Sequence, residues 1–123
     1  MSCEIEWNSH FVYKKYKGSI TPEELKKADA KILSDIRFAS LSYILSNFLD
    51  VDHIDFSTDE VITHSIGHGI PSIYNPQLKV VLVANKPSIR KKLLLYIKNM
   101  KTTEWEIKLF KTLEEAYNYV QLK

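Results

Sequence analysis

Residues 78–84, LKVVLVA, limit what this chain can fold into more than any other stretch: six of the seven are apolar, on both alternating sets. A strand of that kind must be covered on both faces, which is the situation of a strand inside a parallel sheet flanked by helices. A second such strand begins at Leu41, with Leu41, Tyr43, Leu45 and Leu49 on one alternating set and Ile44 and Phe48 on the other. Interior parallel strands need helical crossovers.

Ser/Thr-x-x-Glu phrases mark the starts of those helices: Thr21 with Glu24, and Pro22 at the first helical position; Ser57 with Glu60; Thr112 with Glu115. In each, the hydroxyl accepts from an orphan N–H of the first turn while the glutamate reaches back. Apolar residues then recur every three or four positions. The first helix carries Leu25, Ala28, Ile32 and Ile36, with Lys26, Lys27, Asp29 and Lys31 expected in water; the second carries Val61, Ile62, Ser65 and Ile66. A helix opening at Pro87 and Ser88 has Ile89, Leu93, Tyr96, Ile97 and Met100 inward and Arg90, Lys91, Lys92 and Lys98 off that stripe. The last carries Leu113, Ala116, Tyr117 and Val120.

Between these elements, Asp50, Asp52 and Asp55 read as a short acidic turn after the first core strand. Gly67 and Gly69 end the second helix, and 70–77, with Pro71 and Asn75-Pro76, reads as a loop. Residues 4–18 alternate around a turn at Asn8-Ser9, a hairpin that Gly18 ends. Trp105, Ile107 and Leu109 alternate with Glu106 and Lys108, the pattern of an edge strand. The expected fold is a single α/β domain: a mixed, largely parallel sheet of successive right-handed strand–helix turns with an N-terminal β-hairpin.

A chain of 123 residues is ordinary for one core. Its 17 basic and 15 acidic residues leave a net charge of +2, spread without a basic face, so no nucleic-acid partner is expected. The basic run Arg90, Lys91, Lys92 lacks interleaved exposed aromatics and reads as a solvated helix face. One cysteine, Cys3, leaves no disulfide framework and no cysteine-based zinc site, in keeping with a cytoplasmic location. The polar start MSCEIEWNSH is not a secretory signal, and no apolar run has the length of a membrane span.

The runs VYKKYKGSITPEEL, SYILSNFLDVDHIDFSTDEV, NPQLKVVLVA and TTEWEIKLFKTLEEAYNYV resemble the small bacterial STAS-like, or SpoIIAA-like, proteins named for the anti-sigma-factor antagonists. The resemblance extends from about Phe11 to Val120 and rests on the order and spacing of elements. It implies a compact mixed sheet and a role in regulation or protein contact, without catalysis. True antagonists carry a phosphorylated serine in an Asp-Ser-Gly-like phrase at this strand-to-helix junction. Here the matching region, Asp55-Phe56-Ser57-Thr58-Asp59, lacks the glycine and surrounds the hydroxyl with acids, which counts against a phospho-switch.

Candidate binding residues concentrate in 41–70. Asp50, Asp52 and Asp55 follow a core strand, where open α/β sheets bind ligands, although turn chemistry also explains them. Ser57 and Thr58 sit at a helix N-terminus suited to an anion or a partner's side chain, with Ser57 most simply an N-cap. His64 and His68, four apart, share a helical face and can meet one metal ion, with His53 or Asp50 as a third ligand. The set is incomplete, lacks the glutamate of a HExxH hydrolase, and is threatened by Gly67, so no metal and no cofactor are expected. Aromatic residues Tyr13, Phe48 and Phe110 are candidates for a partly open sheet face that meets a partner. The leading expectation is a non-enzymatic regulatory domain that contacts another protein or a second copy of itself. The alternative is a small-molecule or lipid-binding domain with a pocket near the 67–75 loop, followed by a hydrolase built on the histidines and aspartates.

Overall fold

The computed structural model of the chain describes residues 2–101 and 103–121. Its strands are β1 (Ser2–Asn8), β2 (Phe11–Ile20), β3 (Tyr43–Ile54), β4 (Lys79–Val83) and β5 (Glu106–Phe110). The helices are α1 (Pro22–Leu33), α2 (Thr58–Gly67), α3 (Gly69–Tyr74), α4 (Pro87–Asn99) and α5 (Leu113–Gln121), with a 3-10 turn over Ile36–Ser40. The strands lie in the order β1-β2-β3-β4-β5; the first pair is antiparallel and the other pairs are parallel. This is the expected mixed sheet, with the hairpin at one edge and β5 at the other.

Each parallel pair joins neighbours in sequence, so crossovers of one hand put α1, α2 and α4 on one face. Their buried residues do form one core: Ala28, Ile32, Val61, Ile89 and Leu93 pack with Val12, Ile44, Val80 and Leu82. Helix α5 follows the last strand and makes no crossover. It covers the opposite face, where Ala116 meets Tyr43, Leu45, Val81 and Val83.

Gly18 ends the pairing of the hairpin, whose last described pair is Ser2 with Lys17, but it does not end β2. It has φ 74°, in the left-handed region that glycine favours, and lies between two shifts of register against β3. This irregularity lets β2 continue to Ile20, opposite Ile54. In consequence β3 runs through Asp50 and Asp52, and of the presumed acidic turn only Asp55 lies beyond the strand.

Nor does Gly67 turn the chain away. His68 keeps a right-handed helical backbone (φ −82°, ψ −9°), and α3 follows with Pro71 in its first turn, where a missing N–H is harmless. Residues 70–74, read as loop, are therefore helical.

Several side chains also differ from the pattern. Asp29, expected in water, is buried, whereas Ile36 lies in the 3-10 turn and is 95% exposed. Phe48 stacks on Tyr16 on the helix-covered face, with ring centroids 4.9 Å apart, and does not join Tyr13 and Phe110 on the α5 side. The basic run is not wholly solvated: Lys92 Nζ donates to the carbonyls of Ile54 and Phe56, each at 2.6 Å, and Arg90 Nη1 to that of Ala84 at 2.8 Å.

Ser57 caps α2 as expected. Glu60 N donates to Ser57 Oγ at 3.1 Å and Ser57 N to Glu60 Oε1 at 2.9 Å. Ser57→Ala is expected to lower stability by about 1 kcal/mol, seen as a lower urea midpoint with an unchanged slope. An unchanged midpoint would mean that water serves the freed N–H equally well.

Candidate functional site

Leu25, Asp29 and Ile32 are spaced by four and three, so the carboxylate projects from the inward face of α1. A charge in that position requires a partner. Strand β2 supplies it: Val12, Lys14 and Tyr16 share a face, and Lys14, between two buried residues, is only 6% exposed. Its Nζ donates to Asp29 Oδ1 at 2.9 Å.

The other carboxylate oxygen, Oδ2, faces the end of α2. His64 Nε2 lies 3.2 Å from it and His68 Nε2 3.0 Å. The helical backbone carried through His68 keeps the two rings one turn apart on one face, with centroids separated by 4.3 Å. Helix α4 adds Tyr96, whose Oη is 2.6 Å from His68 Nδ1.

An ionised carboxylate only accepts, so both Nε2 atoms carry hydrogen. Burial is the largest influence on each charged group here, and it opposes charge. For Lys14 the Asp29 carboxylate outweighs burial and holds the ammonium above the usual lysine range. For Asp29, Lys14 and the two imidazole donors outweigh it and keep the carboxyl well below its usual range. For His68 burial prevails over Asp29 and pushes the pKa down, so the ring is neutral at pH 7. Burial pushes Tyr96 up, and its protonated hydroxyl donates to Nδ1 of that neutral ring.

These groups form part of the wall of a cavity of about 90 Å³ between the sheet and the helices. Ile44, Val80 and Leu82 line it from the sheet, Leu25 and Leu93 from the helices. Tyr16 also lines it; its fully buried hydroxyl makes no hydrogen bond among the described residues, although Lys14 Nζ is 5.4 Å from the ring centroid. A space of this size holds on the order of three waters or a short organic molecule.

Of the residues singled out from the sequence, the structure brings His64 and His68 together in this wall and scatters the rest. Asp50 is exposed on β3, 3.4 Å from Lys15 Nζ, and Asp52 is exposed 3.6 Å from Lys86 Nζ. Asp55, Ser57 and Thr58 are exposed at the start of α2. Among the described residues the one group of three with metal-ligand geometry is Asp29, His64 and His68, so neither Asp50 nor His53 completes the histidine pair. Within 67–75, His68 is the one described residue lining the cavity.

Asp29, Lys14 and Tyr96 are not among the binding residues expected from the sequence, which puts Asp29 in water and Tyr96 in the core. Each carried a usable signal: Asp29 sits four after Leu25 and three before Ile32, Lys14 alternates with Val12 and Tyr16, and Tyr96 lies on the apolar stripe of α4 with a hydroxyl needing a partner.

No family model matches the chain, and no curated protein matches its sequence. Solved structures do match its fold. The unphosphorylated anti-sigma factor antagonist SpoIIAA is 17% identical with a TM-score of 0.64, covering 98% of each chain. The Bacillus cell fate determinant SpoIIAA in its phosphorylated form is 17% identical with a TM-score of 0.62, covering 97% of this chain and 99% of that one. An uncharacterized protein with a SpoIIAA-like fold from Shewanella loihica PV-4 is 15% identical with a TM-score of 0.57, covering 96% and 91%. The chain therefore has the SpoIIAA-like fold over nearly its whole length. No helix among the described residues is long and apolar enough to cross a membrane.

Proposed function

We propose that this chain is a non-enzymatic regulatory domain whose input is a small amphipathic molecule held in the cavity beside Asp29, His64 and His68. The observation that carries this reading is a charged, hydrogen-bonded cluster in the wall of a core cavity. A buried ion pair is a weak stabilising device, since apolar residues of similar volume often serve as well or better. Recognition of a ligand gives the cluster a purpose that packing does not. The regulatory role is drawn from the fold shared with an anti-sigma factor antagonist.

The walls specify the ligand. Ile44, Val80 and Leu82 suit a short hydrocarbon, and the balanced Lys14–Asp29 pair beside a neutral His68 suits an uncharged hydroxyl or carbonyl. Native mass spectrometry of freshly purified protein is expected to show a small-molecule mass excess that denaturation removes. Protein at its bare sequence mass, even after incubation with short alcohols and ketones, would count against the reading.

A second reading, contact with another protein or a second copy, is favoured by Ile66, Ile73 and Tyr74, which are 72, 74 and 73% exposed on α2 and α3. Light scattering over a concentration series tests it with I73E and Y74S: self-association in the wild type that both substitutions abolish supports it. A wild type that stays monomeric throughout removes the second-copy form.

A further inference from the structure

We infer that Asp29, His64 and His68 form a binding site for one divalent first-row transition-metal ion of the zinc or iron(II) kind. The His64–His68 spacing offers two ligands, and the third comes from α1, which brings Asp29 to them from a distance of 35 residues or more. The inference stands on these three side chains and does not require the organic ligand proposed above.

The geometry is that of a ligand set. Metal–ligand bonds of roughly 2.0–2.1 Å place neighbouring donor atoms about 2.9–3.4 Å apart in octahedral or tetrahedral arrangements. Asp29 Oδ2 is 3.2 Å from His64 Nε2 and 3.0 Å from His68 Nε2, two edges of such a set, and the two imidazoles need close by no more than a side-chain adjustment, since a donor atom from each of the three residues lies within 4.8 Å of the others. Two imidazoles and one carboxylate select zinc or iron(II) over magnesium or calcium, which prefer all-oxygen sites.

The surroundings are those of an outer coordination shell. Lys14 occupies Asp29 Oδ1 and leaves Oδ2 for the ion. Tyr96 holds the far nitrogen of His68 at 2.6 Å and fixes its ring. On binding, the ion takes the place of the hydrogen on His68 Nε2, and the ring carries its hydrogen on Nδ1. His68 then donates to Tyr96 Oη through the same contact with its direction reversed.

Charge decides what completes the site. Lys14 already offsets Asp29, so the ion's two charges need an anionic oxygen donor on the cavity side, a hydroxide or a ligand carboxylate. Metal loading is thus expected to change the cavity's preference from short alcohols to short carboxylates.

The test uses untagged protein stripped with a chelator and titrated with Co²⁺, with Zn²⁺ as competitor. One Co²⁺ per chain is expected, with a visible spectrum of low coordination number that Zn²⁺ abolishes. His64→Ala and His68→Ala are each expected to weaken binding by more than roughly 100-fold, and Tyr96→Phe by about 10-fold, as for an outer-shell partner. Circular dichroism checks that the variants fold. Paramagnetic shifts in the wild type, centred between residues 29, 64 and 68, need no variant. Absence of stoichiometric binding, or shifts centred on His10 or His53, would overturn the inference. Failure here, with organic probes still bound in the cavity, leaves the proposed function standing; metal binding without any organic ligand does the reverse.

Discussion

Asp29→Ala is expected to lower the unfolding free energy by about 3–5 kcal/mol, because it leaves the buried Lys14 ammonium without its counter-charge. The same change strips His64 and His68 of their common acceptor. Lys14→Met is expected to cost less, since Asp29 keeps both imidazole donors. The double variant Lys14→Met with Asp29→Leu removes both charges at similar volume and is expected to recover much of the single-variant loss. Urea unfolding of the wild type, Lys14→Met, Asp29→Leu and the double variant measures the cycle, with Asp29→Ala read beside it. Against a typical total of 5–15 kcal/mol the single loss is a large share. A cost for Asp29→Ala below about 1 kcal/mol is the figure for an exposed pair and would contradict the buried arrangement.

Trp105→Ala is expected to cost a comparable 3–5 kcal/mol from lost packing, with a further share from an orphaned acceptor. Trp105 is buried just before β5, edge-on to Phe38 at 6.5 Å between centroids, and its Nε1 donates to the Asn75 carbonyl at 2.8 Å. Asn75 in turn donates through Nδ2 to the carbonyls of Phe38 at 2.8 Å and Leu41 at 2.9 Å. One indole thus ties the end of α3 to the 3-10 turn and the approach to β3. Trp105→Phe keeps most of the ring and removes the donor, which isolates the hydrogen bond at about 1–3 kcal/mol. Equal losses for the two variants would mean that the hydrogen bond, and not the packing, carries the effect.

The architecture was legible because its signals are local. The doubly apolar run at 78–84 is β4 and its approach, and the Ser57–Glu60 phrase caps α2 at the expected residue. What escaped depends on residues far apart in sequence. The bulge at Gly18 reveals itself only when β2 pairs with β3, and that pairing converts an acidic turn into strand. Asp29 looked solvated because Lys26, Lys27 and Lys31 surround it in the chain. Its partners are Lys14, fifteen residues before, and His68, thirty-nine after. Of the site, the histidine pair was readable from its spacing, but its third member was not, since nothing local links α1 to the end of α2. Helix α2 does end at Gly67, as the glycine signals, but His68 keeps a helical backbone and α3 follows at once, so the second histidine stays on the face of the first.

The central claim, that the cavity beside this cluster takes a small molecule, is tested most directly by methyl-resolved NMR titration of the wild type and of a cavity-filling Leu82→Phe variant. Short alcohols of about two or three carbons are expected to shift the methyl resonances of Ile44, Val80 and Leu93 in the wild type, saturably, and to leave them unmoved in the filled variant. Shifts confined to exposed residues such as Ile66 and Ile73, or identical in both proteins, would contradict it.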